Sequence, residues 1–227
     1  IGKLKNIELA KLQLHDNDWF VRHARRVLHE RLDYSRKIWS PFSPDLEKNH
    51  AAWRGHRANW FHEADAALKI QLSGHESVPK RLRALWALYV SEGIEAADLI
   101  DLLRDSDEYV RSWAVQLLMN DIRLTEAGVA MLTEMARDEE SLLVRLYLAS
   151  AAQRVPVTMR APLLKVLLAR VEDANDPNLP LMYWYAAEPV VAADSKQAVQ
   201  LLVACKIPKL RQFITRRMAV KQLSSGE

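Results

Sequence analysis

One apolar template recurs along this chain and limits what it can fold into. Apolar side chains at i, i+3, i+4 and i+7 form a single stripe on a helix of 3.6 residues per turn. Leu82, Leu85, Trp86 and Tyr89 fit it, as do Val110, Trp113, Ala114 and Leu117. Val144, Tyr147, Leu148 and Ala151 repeat it. Leu210, Phe213 and Ile214 follow, with Met218 one place further on. Val21, Ala24 and Leu28 fit three of four positions, and Leu181, Trp184 and Tyr185 begin another copy. Over the last four steps the anchors average 32 residues apart, the length of two helices with two short turns. Second helices with the same stripe lie between them: Leu99, Leu102 and Leu103; Val129, Leu132 and Ala136; Leu164, Leu167, Leu168 and Val171; Ala198, Leu201, Leu202 and Cys205.

Each such pair has a stripe that it cannot bury alone, so consecutive pairs stack. The expectation is an all-α fold: a right-handed α-α superhelix, a solenoid of about five to six helix pairs, forming one domain over 1–227. Six glycines and nine prolines among 227 residues fit long helices and exclude turn-rich all-β folds. Thr125 and Asp194 read as helix N-caps and Pro162 as a first-turn residue. The spacing between the first two anchors is 61 residues, which leaves an irregular insertion around 33–60. It holds Trp39, Pro41, Phe42, Pro44, His50, Trp53, Arg54, His56, Arg57 and Trp60. These aromatics and arginines suit either stacking on a sugar or base, or stapling a loop over the end of the stack.

Two stretches agree position for position. One reads Asp16-Asn-Asp-Trp-Phe-Val21-Arg22, the other Asp105-Ser-Asp-Glu-Tyr-Val110-Arg111; a third, Glu139 to Val144-Arg145, is close. They resemble the HEAT-repeat signature, whose second helix opens with an acid, four residues and Val-Arg. The resemblance implies a ladder along the stack, with Asp16/Arg22, Asp105/Arg111 and Glu139/Arg145 as rungs. Arg211 would be a further rung, but Cys205 stands where its acid should be. The chemistry is sound: an acid at a helix N-terminus accepts free amides, and a partly buried arginine needs a fixed acid.

A narrower resemblance rests on 14–26, 109–117, 144–154, 172–189 and 206–217. Together these are similar to the helical-repeat middle section of large bacterial membrane-bound dehydrogenases. In that family a sugar-dehydrogenase-type propeller precedes the repeats and a c-type haem domain with CxxCH follows. The resemblance implies a non-catalytic scaffold or interaction module, no cofactor within this fragment, and an extracytoplasmic or periplasmic location. Its partners would be the propeller and haem domains of the same parent chain. The chain opens on Ile1 and carries a single cysteine, so it is expected to be a middle piece whose redox chemistry lies elsewhere.

The segment 172–189 interrupts the regular repeat. It places Asp173, Asp176, Asn178, Trp184 and Glu188 within reach of Arg216 and Arg217 of the next pair, a candidate binding surface. The preferred reading is structural: the acids cap a helix and pair with those arginines. No metal site is expected, because hard cations want six or more oxygens and the histidine pairs are six apart. A formal net charge of +3 implies no polyanion partner, although 206–221 carries six cations and no acid. The longest apolar stretches are too short or too interrupted to span a membrane. The alternative function is a HEAT-like DNA glycosylase or nucleic-acid-binding solenoid, with Trp113 beside Asp105 or Asp107 as the nearest material; nucleic acid is the less favoured partner.

Overall fold

Most of the stripes are buried. Val21, Ala24 and Leu28, Leu82 and Leu85, Val110 and Ala114, Val144 and Leu148, and Leu210 and Ile214 all lie in the core. The computed structural model describes residues 1–39, 46–121 and 125–224, and among these every regular element is helical. The contacts group the chain into two compact units, residues 1–98 and 99–227, where the sequence alone marks no boundary.

Unit 1 holds α1 (Asn6–Lys11), α2 (Asp18–Trp39), α3 (Leu46–Gly74) and α4 (Val78–Val90). α3 packs on α1 and α4, and α2 packs on α4. The expected irregular insertion is a correction here, because α2 runs to Trp39 and α3 is helical from Leu46. Its stripe is Trp53, Arg57, Phe61, Ala64 and Leu68, all buried. A charged residue at the second position hides the period. Arg57 is tolerated in the core because its donors are used: Nε and Nη2 donate to the Ser91 carbonyl at 2.9 and 2.7 Å, and the guanidinium clamps Asp65. The guanidinium also lies 4.8 Å from the centre of the Phe61 ring. Pro41, Phe42 and Pro44 fall outside the described residues, as do the side chains of Trp39 and His50.

The end of α4 closes over this core. Gly93 N–H donates to the Leu88 carbonyl at 2.7 Å and Glu92 N–H to that of Tyr89 at 3.1 Å, the paired bonds of a Schellman motif. The left-handed position belongs to Glu92, with φ 55°, whose carboxylate meets Arg36. Gly93 is needed for space instead. A Cβ there would lie 2.4 Å from Asp65 Oδ1 and 2.9 Å from Arg57 Nη2.

In unit 2, helices alternate between two rows. α6 (Glu108–Asp121), α8 (Leu142–Arg154), α10 (Leu179–Ala193) and α12 (Pro208–Ser224) contact one another in sequence. α7 (Glu126–Asp138), α9 (Ala161–Leu168) and α11 (Ser195–Ala204) form the other row; α5 (Ala96–Leu102) precedes both. Thr125 Oγ1 accepts from Gly128 N–H, Asp194 accepts from Lys196 and Gln197, and Pro162 sits in the first turn of α9. Arg160 closes the α8–α9 turn by donating to the carbonyls of Val155, Gln153 and Ala186.

Replacing Gly93 with alanine drives a methyl into the Arg57–Asp65 pair. Gly93→Ala is expected to lower the unfolding free energy by about 1–3 kcal/mol, read as a shift in denaturant midpoint. An unchanged midpoint would show that the site relaxes without cost.

Candidate functional site

The arginine ladder is present in unit 2, but its register differs from the expected one. Arg111 Nη1 donates to the backbone carbonyl of Asp105, six residues back, at 2.9 Å. Its Nε and Nη2 reach forward 28 residues to Glu139, both at 2.8 Å. Arg145 repeats the arrangement: Nη1 on the Glu139 carbonyl at 2.9 Å, Nε and Nη2 on Asp173 at 3.0 and 2.5 Å. Each arginine therefore takes the main chain of its own pair and the carboxylate of the next. Asp105, Glu139 and Asp173 stand 34 residues apart throughout. The Asp105 carboxylate accepts the Asp107 N–H, and Asp107 in turn caps α6 at Tyr109 and Val110. Arg211 Nη1 keeps the backward half of the pattern, on the carbonyls of Cys205 and Leu202.

The Asp16/Arg22 rung is corrected. Arg22 Nε pairs with Asp18 at 2.5 Å along its own helix, and Asp16 is almost fully exposed with Lys80 3.7 Å away. Arg111 also has an acid at i−4, Asp107, but reaches Glu139 28 residues ahead; 28 residues after Arg22 stands His50, not an acid, and Arg22 takes Asp18 on its own helix instead. Asp173 is likewise removed from the candidate binding surface. Its side chain is 0% exposed, and it accepts from Tyr183 Oη at 2.7 Å as well as from Arg145.

Charge states follow from these contacts. Burial alone would raise the Glu139 carboxyl, but the Arg111 guanidinium and the Ser141 N–H outweigh it and hold the group below its ordinary range. The hydrogen bond with Glu139 raises Arg111, and Asp173 raises Arg145 against the effect of burial. Burial, then the bond to Asp173, pushes the Tyr183 hydroxyl far above its usual value. Burial also raises the Cys205 thiol.

The ladder fixes which way α6, α8 and α10 face. The stripe expected at Leu181, Trp184 and Tyr185 lies on the outer side of α10: Leu181 is 36% and Tyr185 55% exposed. The buried stripe is Leu179, Tyr183, Ala186, Ala187 and Val190. α10 is apolar on two faces, so period alone leaves its orientation open. The outward side chains line a groove of about 690 Å3 with Leu146 and Tyr147 of α8 and Gln116 of α6. Asn178 sits at its rim, and Asp176 beneath it accepts the N–H groups of Asn178 and Leu179 at 2.8 Å. Further along, the Trp184 ring lies 5.5 Å from that of Phe213, and Arg217 Nε pairs with Glu188 at 2.6 Å. Arg216 is exposed. Trp184, Glu188 and Arg217 are thus brought together across α10 and α12, while Asp173 faces the interior.

Among the described residues no group of three or more His, Cys, Asp or Glu is placed to hold a metal ion. No described helix is long and apolar enough to cross a membrane. Compared with protein-family models, curated proteins and solved structures, the chain matches none.

Two measurements probe the ladder. Asp173→Ala strands Arg145 in the interior and is expected to cost about 3–5 kcal/mol; Tyr183→Phe, which removes one of Asp173's donors, about 1 kcal/mol. Equal effects in denaturant unfolding would contradict the arrangement. The lowered Glu139 carboxyl contributes stability that is full above about pH 4.3 and is lost as pH falls through its folded value. Glu139→Gln is therefore expected to flatten the acid limb of a midpoint-against-pH profile, and an unaltered limb would exclude Glu139 as a source of it.

Proposed function

We propose that this chain is a HEAT-like helical-repeat interaction module, winding as a right-handed superhelix and presenting the outer faces of α6, α8, α10 and α12 to a protein partner. The carrying observation is α10, whose second apolar stripe faces outward as the wall of the 690 Å3 groove. The part of Leu181 and Tyr185 that stays in water adds nothing to a helix whose core needs only one stripe. The arginine ladder supports the HEAT reading, because a constant 34-residue spacing of its acids keeps successive pairs in one orientation.

The module would belong to a larger extracytoplasmic protein of the membrane-bound dehydrogenase type, connecting or presenting a propeller and a c-type haem domain. The dehydrogenase chemistry and the haem would reside in those domains, and this chain would supply position. The Val-Arg repeats and the 172–189 segment support that reading.

The test is a titration of the whole chain with the propeller and haem domains encoded on either side of it in the parent reading frame. Saturable binding to either is expected, weakened at least tenfold, about 1.4 kcal/mol, by Leu181→Asp with Tyr185→Asp. Both positions are exposed, so the thermal midpoint should stay within a few degrees of wild type. No binding to either domain, or a reading frame without them, overturns the assignment.

A further inference from the structure

The interaction face carries information about its partner's chemistry. Residues 206–224 hold Lys206, Lys209, Arg211, Arg216, Arg217 and Lys221 and no acid. Two of these have structural partners: Arg211 is on the carbonyls of Leu202 and Cys205, and Arg217 is on Glu188. Lys206, Lys209 and Arg216 are exposed, and none of the three is ion-paired among the described residues. A solvated helix face is ordinarily mixed in charge, and nothing in solvation selects a single sign.

Lys209 and the groove are connected. Its Nζ lies 5.9 Å from the Phe213 ring centre, and Phe213 meets Trp184 at 5.5 Å. Trp184 adjoins Tyr185, which lines the groove between α8 and α10. An apolar trough thus gives way, one helix further along the row, to an uncompensated positive edge. The trough itself is lined by no cation; its polar contributors are Gln116, Ser150, Asn178 and the tyrosine hydroxyls. Nucleic acid would call for cations spread along the whole track of its phosphates. Cations confined to one end fit a polypeptide with an apolar residue and acids displaced from it.

Building on the interaction reading above, we propose that this face binds an acidic polypeptide segment. One large apolar side chain sits in the α8–α10 groove, and two or more Asp or Glu residues meet Lys209 and Arg216 on α12. Packed helix axes lie roughly 8–10 Å apart, and an extended chain advances about 3.3 Å per residue. From the groove between α8 and α10 to α12 is about one and a half such spacings, so the acids stand about four residues from the apolar anchor.

Selection of short random peptides on the whole chain tests this directly. Wild type is expected to enrich peptides with a Leu, Phe or Trp about four residues from paired acids. Lys209→Glu with Arg216→Glu is expected to lose them at least tenfold and to accept basic versions instead. Leu181→Asp with Tyr185→Asp should lose both kinds. Circular dichroism and thermal melts keep the comparison among folded variants. Enriched peptides without an acidic bias, or a bias that survives charge reversal, overturn the acidic partner; if such peptides are still lost in the Leu181/Tyr185 variant, the interaction reading stands. No enrichment on wild type overturns the peptide proposal, while the interaction reading is decided by the domain titration. A DNA duplex or phosphatidylserine vesicle that binds more tightly than the selected peptides in the same buffer, and is released by the charge reversal, also overturns the peptide assignment.

Discussion

The forward reach of Arg111 and Arg145 is the contact on which unit 2 depends. Each guanidinium is planar and offers a fork of donors. One prong takes a carbonyl of its own helix pair, and two take the carboxylate of the next. That arrangement cannot be satisfied by a neighbour rotated about its axis. Apolar packing of Val110, Val144 and Leu148 supplies the larger share of the driving force, but it is tolerant of direction. The buried ion pairs add what packing lacks, a preferred register. With register set, the outward face of α10 is no longer free to turn in.

This explains why an apolar helix keeps tyrosine and leucine in water. Tyr183 and Tyr185 are two residues apart on one helix, yet the first is fully buried and bonded to Asp173 while the second is half exposed. Rotating α10 to bury Tyr185 would pull Tyr183 from Asp173 and draw Leu179, Ala186, Ala187 and Val190 out of the core. Losing that buried apolar stripe costs more than burying one more aromatic side chain returns. Exposure at the groove is thus maintained by the packing, and by the Tyr183 bond, on the opposite side of the same helix.

Much of this was legible in the residues. Helical content, the burial of most stripes, and the caps at Thr125 and Asp194 follow from local patterns that the structure repeats. Harder features involve partners distant in sequence. Val-Arg marks the arginine, but its acid lies 28 residues ahead, in a motif that for Asp173 lacks its own arginine because Leu179 stands in that place. Asp173 therefore looked like one more acid on a turn. The stripe of α10 was misassigned because both faces are apolar. Arg57 broke the pattern of α3 because a cation satisfied by Asp65 and the Ser91 carbonyl cannot be told from a solvated one by period.

The ladder ends at Asp173, and beyond it the coupling changes character. α12 is tied to α10 by the Glu188–Arg217 pair, whose two side chains are each more than a third exposed. Added electrolyte screens such a pair while leaving the buried rungs nearly untouched. Raising ionic strength is therefore expected to speed amide exchange in α12 more than in α6 and α8. An anion that settles on the exposed cations of α12 therefore gains contacts and at the same time replaces part of the restraint that added salt removes from this helix.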